Sequence, residues 1–297
     1  MRFKAIIYIY SISIPMMSKA KNIQLIEQFV DENANNYTAS TLKLYKSQLN
    51  TMADKFSFKT RQSTLLKYFN NIDNVNTKSN KLNAIIILRN YFNSKTDLLR
   101  DLREGNFKDI ETHRKKSLAT LDESLISYDE LMKKLNAMDS KWYMLNYMYI
   151  NYGLRNKDLN VRYYEDLMEP EDRKKENVVI YEDGVVEFYI NVYKTAKSYN
   201  EKVLKVTDEK FIKIFLEQNL KDGGYLFAKA DGEPYTQYSF NVISARHSID
   251  KLGETKIMKI LVKHYLDDNN FKRLNELQSS RGSSLTTILK SYNLYNT

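Results

Sequence analysis

The stretch "KWYMLNYMYINYGLRNKDL", residues 141–159, decides how the chain is interpreted. Its first part is strongly apolar and predicts a helix that lies in a core and ends at Gly153. A single arginine, Arg155, follows this glycine after one leucine, and Asp158 lies three positions further on. An arginine that caps the helix end is the simplest interpretation. The alternative is a guanidinium reserved for a ligand, and the rest of the chain bears on that choice.

Composition limits the class of protein. The chain has 297 residues, enough for one large domain or two ordinary ones. Of these residues 42% are hydrophobic and 28% are charged, values typical of a folded protein. It has no cysteine, which excludes disulfides, cysteine-based zinc sites and cysteine catalysis. Its three histidines, His113, His247 and His264, are widely spread, so we expect no metal site.

The charge favours a polyanionic partner. The formal net charge is +9, and 23 tyrosines are distributed along the chain. A basic surface interleaved with aromatic residues suits nucleic acid before membrane. A genome rich in Lys and Asn codons is an alternative cause of the same charge.

The N-terminal part divides into a leader and a helical domain. Residues 1–17, "MRFKAIIYIYSISIPMM", resemble a secretory signal, but the apolar run is too short to span a bilayer and no cleavage site follows. We expect an unstructured leader, with a second start at Met16 or Met17. Residues 18–93 carry four segments with helical apolar spacing, among them "NIQLIEQFVDE" and "TASTLKLYKSQLN", and predict a compact helical bundle.

Residues 94–123 are charged and have little apolar periodicity, which predicts an interdomain linker with some helix. The basic cluster "REGNFKDIETHRKK" inside it could follow a DNA backbone or could simply be solvated.

Residues 124–297 predict a second domain. Ser127 and Glu130 form a capping box at the start of a helix. Alternating apolar residues flank Asp183-Gly184, a hairpin turn signal, and a third strand is expected near 203–206. Helical patterns follow to the end of the chain. The predicted fold class is mainly α with a small three-stranded antiparallel sheet (α+β).

This order of parts resembles the tyrosine recombinase (phage-type integrase) family over nearly the whole chain after the leader. The most specific motif is "YGLRNKDL", which is similar to the family's first arginine box. The resemblance implies a helical core-binding (SAM-like) DNA-binding domain at 18–93 and a catalytic domain at 124–297. It also implies that Arg155 binds phosphate and that Asp158 supports it.

The chemistry independently favours arginine. Cleaving a phosphodiester without a metal requires cations around the phosphorus, because the transition state gains negative charge on the non-bridging oxygens. The planar guanidinium bonds two of these oxygens at once. We therefore expect neither a cofactor nor a metal.

The resemblance also points to a lysine and to a second basic box. In "YINVYKTAKSYNEKVLKV", Lys194 takes the position of the family's general-acid lysine, with Lys197 as the alternative. In "KILVKHYLDD", Lys263 aligns with the family's second arginine and His264 follows it, while Ile260 replaces a histidine. Lysine supplies charge to a phosphate but lacks the bidentate fork.

The C-terminal stretch "SRGSSLTTILKSYN" resembles the family's glycine–histidine box followed by its nucleophile. With Gly282 as that glycine, Ser283 replaces the histidine, and Tyr292 lies nine positions later (292 − 283), the family's usual interval. Tyr292 is the predicted nucleophile, and Tyr295 is the alternative.

The resemblance implies a site-specific recombinase or integrase, from a virus or mobile element, that cleaves and rejoins DNA through a 3′-phosphotyrosyl intermediate. Its expected partner is double-stranded DNA, bound as a homotetramer inside the cell and away from membranes. Three alternatives stay open: a catalytically impaired DNA-binding protein on the same scaffold, a type IB topoisomerase, and an unrelated basic helical protein. The last of these requires Arg155, Lys194 and Tyr292 to lie far apart.

Overall fold

The structure is a computed structural model that describes residues 19–122, 124–193 and 201–293. The chain divides into two compact units, residues 1–117 and 118–297. The described part is mainly helical and contains one mixed sheet of four strands. None of the described helices has the length and apolar character needed to cross a bilayer. The predicted leader, 1–17, lies outside the described residues, and the bounds of the predicted domains stay a prediction.

The first unit is a helical bundle. Its helices are α1 (19–32), α2 (Ala39–Asn50), α3 (Gln62–Asn70), α4 (Val75–Tyr91) and the first part of α5 (Asp97–Asp122). As the sequence predicts, α2 begins at Thr38, whose hydroxyl accepts a hydrogen bond from the backbone N–H of Thr41 at 3.3 Å. The predicted apolar stripes meet in one core, with Ile26 and Leu49 fully buried.

The segment predicted as a linker is more regular than expected. One helix, α5, runs through nearly all of it, and Leu99 on that helix is buried in the core of the first unit. The amide of Asn106 also donates to the backbone carbonyl of Val75 at 2.9 Å. Apolar residues are too sparse along 94–123 to produce a strong helical pattern, which is why the sequence suggested only partial helix.

The second unit begins with α6 (Tyr128–Asn136) and α7 (Trp142–Tyr152). Ser127 caps α6 as predicted, accepting from the backbone N–H of Glu130 at 3.1 Å. Helix α7 is buried along most of its length and ends at Gly153, also as predicted. A short 3-10 helix, Asn156–Leu159, follows it.

The sheet has one strand more than the sequence predicted. Its strands are β1 (Val161–Tyr163), β2 (Asn177–Glu182), β3 (Val185–Ile190) and β4 (Lys202–Val206), in that spatial order. The predicted hairpin is correct, because β2 and β3 pair antiparallel around Asp183-Gly184, both at positive φ. The prediction of three antiparallel strands is wrong, since β1 pairs parallel to β2. Strand β1 has only three residues, which are too few to show the alternation of apolar and polar side chains that predicts a strand.

Helices complete the second unit. They are α8 (Pro170–Arg173), α9 (Glu209–Glu217), α10 (Gln237–His247), a 3-10 turn (Ile249–Lys251), α11 (Gly253–Asp267), α12 (Phe271–Arg281) and α13 (Leu285–Tyr292). Residues from α7, α11 and α12 share one core with the inner face of the sheet. The C-terminal ends of α7 and α12 meet, because the hydroxyl of Ser280 donates to the carbonyl of Tyr152 at 2.7 Å.

Candidate active site

Two glycines with left-handed backbone conformation end two neighbouring helices and change the direction of the chain there. Gly153 ends α7 at φ 60°, and Gly282 ends α12 at φ 61°. A Cβ on Gly153 would lie 2.6 Å from Cδ1 of Leu277, so this position requires glycine for space as well as for conformation. Arg155 follows the first turn and Ser283 follows the second, and the two predicted residues are thereby brought together.

The guanidinium of Arg155 joins the two turns. Its Nη1 donates to the carbonyl of Arg281 at 2.7 Å, and its Nη2 donates to Oγ of Ser283 at 2.8 Å. The buried carboxylate of Asp158 holds the loop, since its Oδ2 accepts from the backbone N–H of Arg155 at 3.1 Å. Oδ2 also lies 3.8 Å from Nη1 of Arg155. Arg155 is therefore fixed at both its backbone and its guanidinium.

A second guanidinium, that of Arg281, lies at the centre of the cluster. Arg281 is 1% exposed, and its Nη1 donates to the carbonyl of Gly153 at 2.5 Å. Its Nη2 donates to the hydroxyl of Tyr292 at 2.6 Å and lies 3.3 Å from Oε1 of Glu254. Its Nε is buried without a hydrogen-bond partner among the described residues. Such a donor is costly to leave unpaired in a buried position.

Tyr292 ends α13 beside these cations. Its ring packs against the core of the second unit, and the guanidinium carbon of Arg281 lies 5.0 Å from the ring centre. The hydroxyl therefore meets a cation rather than hydrocarbon. A guanidinium that donates to a phenol oxygen stabilises negative charge on that oxygen.

Lys202, the first residue of β4, adds a third cation. Its Nζ donates to the carbonyl of Ser280 at 3.0 Å and lies 3.6 Å from the ring centre of Tyr193. The pKa of Lys202 is lowered to about 8, mainly by burial; the charges of Arg155 and Arg281 act in the same direction, and that of Asp158 opposes them. A lysine with this pKa exchanges its proton near neutral pH.

The cluster has more positive than negative charge. Burial lowers the pKa of Arg155, and the neighbouring Arg281 acts in the same direction. Burial raises the pKa of Asp158, against the hydrogen bond from the backbone of Arg155 and the nearby cations. Three cations thus face two carboxylates, those of Asp158 and Glu254. A half-buried site with this excess of positive charge suits an anion.

Lys263 and His264 do not belong to this cluster. Both lie near the C-terminal end of α11, whereas Glu254 at its N-terminal end contacts Arg281. Nine residues of helix separate Glu254 from Lys263, roughly 13 Å along the axis. His264 stacks on Tyr128 at 3.8 Å between ring centres, and its Nε2 lies 3.4 Å from Oδ2 of Asp268.

The second basic box of the sequence prediction thus lies apart from the cluster, and its role stays a prediction. Lys263 and His264 line a separate cavity of about 560 Å³, and Ile260, aligned with a family histidine, is likewise among its lining residues. The second guanidinium of the cluster belongs to Arg281, eighteen positions after Lys263 (281 − 263). Lys194 and its alternative Lys197 lie outside the described residues.

Three residues of the cluster were not predicted: Arg281, Lys202 and Glu254. Arg281 precedes the glycine that the sequence marked, but a cation in the last turn of a helix normally interacts with the helix dipole and gives no further signal. Lys202 opens a strand, where lysine is commonly solvated. Glu254 lies in a first helical turn, the usual place for an acidic residue. Only their long-range contacts distinguish them.

Within the described ranges, no group of three or more His, Asp or Glu side chains is arranged to hold a metal ion. No protein-family model matches the chain, and no curated protein sequence matches it. Among solved structures, the chain is similar to the crystal structure of XerA recombinase, with a TM-score of 0.38 and 11% identity, over 93% of this chain and 94% of that chain.

Proposed function

We propose that the chain is a tyrosine recombinase that cleaves and rejoins double-stranded DNA through a 3′-phosphotyrosyl intermediate. The observation that carries the proposal is the hydrogen bond from Arg281 to the hydroxyl of Tyr292, beside Arg155. A terminal-helix phenol next to two guanidiniums from distant parts of the chain is what attack on a phosphodiester requires. This geometry disfavours the alternative in which Arg155 only caps a helix.

Each residue of the cluster has a role in the proposed reaction. The phenol of Tyr292 gives up its proton to water as its oxygen attacks the scissile phosphorus, the bond from phosphorus to the 5′-oxygen breaks, and the 5′-oxygen takes up a proton. Arg155 and Arg281 stabilise the charge that develops on the non-bridging oxygens, and Ser283 donates one hydrogen bond. Asp158 and Glu254 orient the two guanidiniums.

Lys202 is the proposed proton donor to the 5′-oxygen. Its pKa of about 8 lets it carry a proton at neutral pH and still release it easily. Lys194, which the family resemblance favours for this role, is the alternative donor. Because the phosphotyrosyl bond retains the energy of the phosphodiester, rejoining needs no nucleotide cofactor. Binding as a tetramer inside the cell is part of the same proposal.

The first unit supplies a surface for the DNA backbone. Between residues 38 and 89 the chain has nine Lys or Arg residues and only two acidic ones, Asp54 and Asp73. All of these basic side chains except Arg89 are at least partly exposed. Such a surface supports contacts to phosphates, which position DNA without reading its sequence.

The decisive experiment is to trap the covalent intermediate. The protein is incubated with a pool of nicked suicide duplexes of randomised sequence, and covalent adducts are separated under denaturing conditions. We expect an adduct whose modified peptide contains Tyr292, and its loss in Tyr292→Phe. The matched control is Tyr238→Phe, because Tyr238 is 79% exposed and lies on α10. An undiminished adduct in Tyr292→Phe would contradict the proposal.

A second candidate is a non-catalytic DNA-binding protein on the same scaffold. It is favoured by the position of Lys263 and His264 outside the cluster and by Ser283, which cannot replace the charge of a histidine. This candidate predicts that the protein retards DNA in a native gel but never yields an adduct.

A further inference from the structure

A cavity of about 380 Å³ lies beside the 3-10 helix Asn156–Leu159 in the second unit. Asn156 and Lys157, which directly follow Arg155, contribute to its lining. The remaining lining residues comprise four aromatic side chains, two further cations, one carboxylate and several amides. Its volume is within the range of pockets for small ligands.

One side of the cavity is an aromatic wall. Phe240 lies 5.8 Å from Phe227 and 5.9 Å from Tyr235 between ring centres. Phe227 and Phe240 are buried, at 3% and 5% exposure, so their positions are fixed by packing. Phe227 is also stacked parallel to Trp142, with the ring centres 6.0 Å apart. The rings of Phe227 and Tyr235 are tilted by 42–48° to that of Phe240, so a ligand would meet the half-buried ring of Tyr235 backed by the two packed phenylalanines.

The other side is basic. The guanidinium of Arg162 lies 4.7 Å above the ring of Tyr225, and its Nε is 3.4 Å from Oε2 of Glu176. That Nε is buried but has no hydrogen bond of good geometry to the described residues. Lys157 and Lys175 are exposed, and neither has a carboxylate partner in the described part of the chain. Three cations thus face one carboxylate, Glu176, which favours an anion.

Three of the four amides of the lining, those of Asn156, Asn177 and Gln237, already make side-chain hydrogen bonds, and the fourth, Asn160, is exposed. Asn177 accepts from two backbone N–H groups and donates to two carbonyls. Asn156 and Gln237 both donate to Oδ1 of Asn241, each at 3.0 Å. The capacity that the cavity offers to a ligand is therefore cationic on one side and aromatic on the other.

We propose that this cavity binds a nucleotide, with the base against Phe240 and Tyr235 and the phosphate near Arg162, Lys157 and Lys175. Bases stack on aromatic side chains whatever their sequence, and lysine and arginine hold the phosphate. The nucleotide is either free or an unstacked member of a DNA strand. The second source rests on the proposed function, since Arg155 would hold a phosphate next to the residues that line the cavity.

The single tryptophan allows binding to be measured directly. Because Trp142 stacks on Phe227, a base bound against the aromatic wall alters the tryptophan emission. The full chain is titrated with the four deoxynucleoside monophosphates, with ribose 5-phosphate, with a paired duplex and with a duplex that carries one unpaired base. We expect saturable binding of at least one monophosphate, and binding of ribose 5-phosphate weaker by about tenfold or more.

The DNA probes distinguish the two sources. If the nucleotide belongs to a DNA strand, the duplex with an unpaired base changes the emission and the paired duplex does not. If it is a free nucleotide, the monophosphates alone do so. Equal affinity for ribose 5-phosphate, or no saturable binding of any probe by fluorescence and calorimetry, overturns the proposal.

Matched variants assign the binding to this cavity. Lys175→Glu is expected to weaken nucleotide binding about tenfold, whereas Lys174→Glu, at the adjacent exposed position outside the lining, changes it less than about twofold. Tyr235→Ala is compared in the same way with Tyr238→Ala, because Tyr238 is exposed and does not line the cavity. Equal effects within either pair would refute the assignment.

Nucleotide binding and strand cleavage are separable. Tyr292→Phe removes the proposed nucleophile but does not touch the cavity lining, so this variant should bind the monophosphates with unchanged affinity. A protein that binds the nucleotide but forms no adduct contradicts the proposed function and leaves the cavity assignment standing. A protein that forms the adduct but binds no nucleotide contradicts the cavity assignment and leaves the proposed function standing.

Discussion

The two ends of helix α11 both carry charged side chains, but their surroundings differ. At the N-terminal end, the carboxylate of Glu254 lies 3.3 Å from Nη2 of Arg281 and accepts a hydrogen bond from the backbone of Asn156. At the C-terminal end, His264 stacks on Tyr128 and lies 3.4 Å from a carboxylate oxygen of Asp268, four residues on. The carboxylate at the first end meets a buried guanidinium from another helix, whereas the imidazole at the second end has a ring partner on α6 and a carboxylate just past the end of α11.

This difference shows what separates the candidate site from an ordinary charged surface. A buried cation is stable only if counter-charges and hydrogen bonds replace water. Arg281 has such partners in Gly153, Glu254 and Tyr292, which are separated by long stretches of sequence. An exposed charge needs no such arrangement.

The largest effect is expected at Arg281. Arg281→Lys keeps the charge but loses the fork that reaches both Gly153 and Tyr292, so adduct formation should slow by about 100-fold or more. The rate is measured with the trapped covalent adduct. Arg273→Lys on the same helix is the control, since Arg273 is 42% exposed and pairs with Glu276, three residues on. Equal rates in Arg281→Lys and Arg273→Lys would mean that the buried arginine matters no more for cleavage than the exposed one.

Lys202 is expected to set the pH dependence. With a pKa of about 8, it is protonated below that pH, so the cleavage rate should fall as pH rises through 8. Lys202→Met should slow cleavage by about 100-fold and should abolish the decrease of the cleavage rate with rising pH. A duplex in which sulfur replaces the 5′-oxygen of the scissile phosphate needs no proton donor, because sulfur departs without a proton. This duplex should restore the cleavage rate of Lys202→Met. No recovery with this substrate would exclude Lys202 as the proton donor.

Lys202 also gives stability a defined pH dependence. Its pKa is lower in the folded chain than its ordinary value of 10.5, so between about 8 and 10.5 the unfolded chain binds more protons. The free energy of unfolding contributed by this group therefore rises with pH across that window. Urea unfolding of the wild type and Lys202→Met at several pH values measures this contribution as the difference between the two proteins.

A smaller effect is expected at Glu254. Glu254→Gln keeps the shape of the side chain but removes the counter-charge of buried Arg281, which should cost about 1–3 kcal/mol of unfolding free energy. Adduct formation should slow by about tenfold as Arg281 loses its orientation. Urea denaturation gives the stability, and Glu130→Gln, in an exposed pair with Lys134, is the control. A loss as small as that of the control would mean that Glu254 does not support Arg281.

The smallest effect is expected at the other end of α11. Lys263→Gln and His264→Gln should change the rate of adduct formation by less than about twofold. His264→Gln should cost about 0.5–1.5 kcal/mol of stability, because it removes the stacking on Tyr128. A large loss of cleavage in either variant, with the fold intact by circular dichroism, would reinstate the basic box that the sequence suggested.

Local patterns predicted much of the fold. The capped starts of α2 and α6, the end of α7 at Gly153 and the hairpin at Asp183-Gly184 are each encoded within a few residues. Strand β1 was missed because its three residues acquire their structure only by pairing with β2. The length of α5 was missed because its charged surface gives no apolar period.

The candidate site was predictable only in part, for the same reason. Arg155 and Asp158 lie in one motif, and Ser283 and Tyr292 lie at a fixed spacing, so both pairs could be read along the chain. The position of Arg281 depends on how α7 and α12 meet, which no local pattern specifies. The role of Lys263 stays a prediction, because spacing along α11 does not show which end of that helix approaches Arg155.

The left-handed turn at Gly282 lies within the candidate site. Arg281 lies before this glycine, while Ser283 and Tyr292 lie after it. The hydrogen bond from Arg155 to Ser283 and the hydrogen bond from Arg281 to Tyr292 therefore both depend on the backbone conformation of this one residue. In the proposed reaction, the attacking oxygen and one hydrogen bond to the phosphate share that dependence.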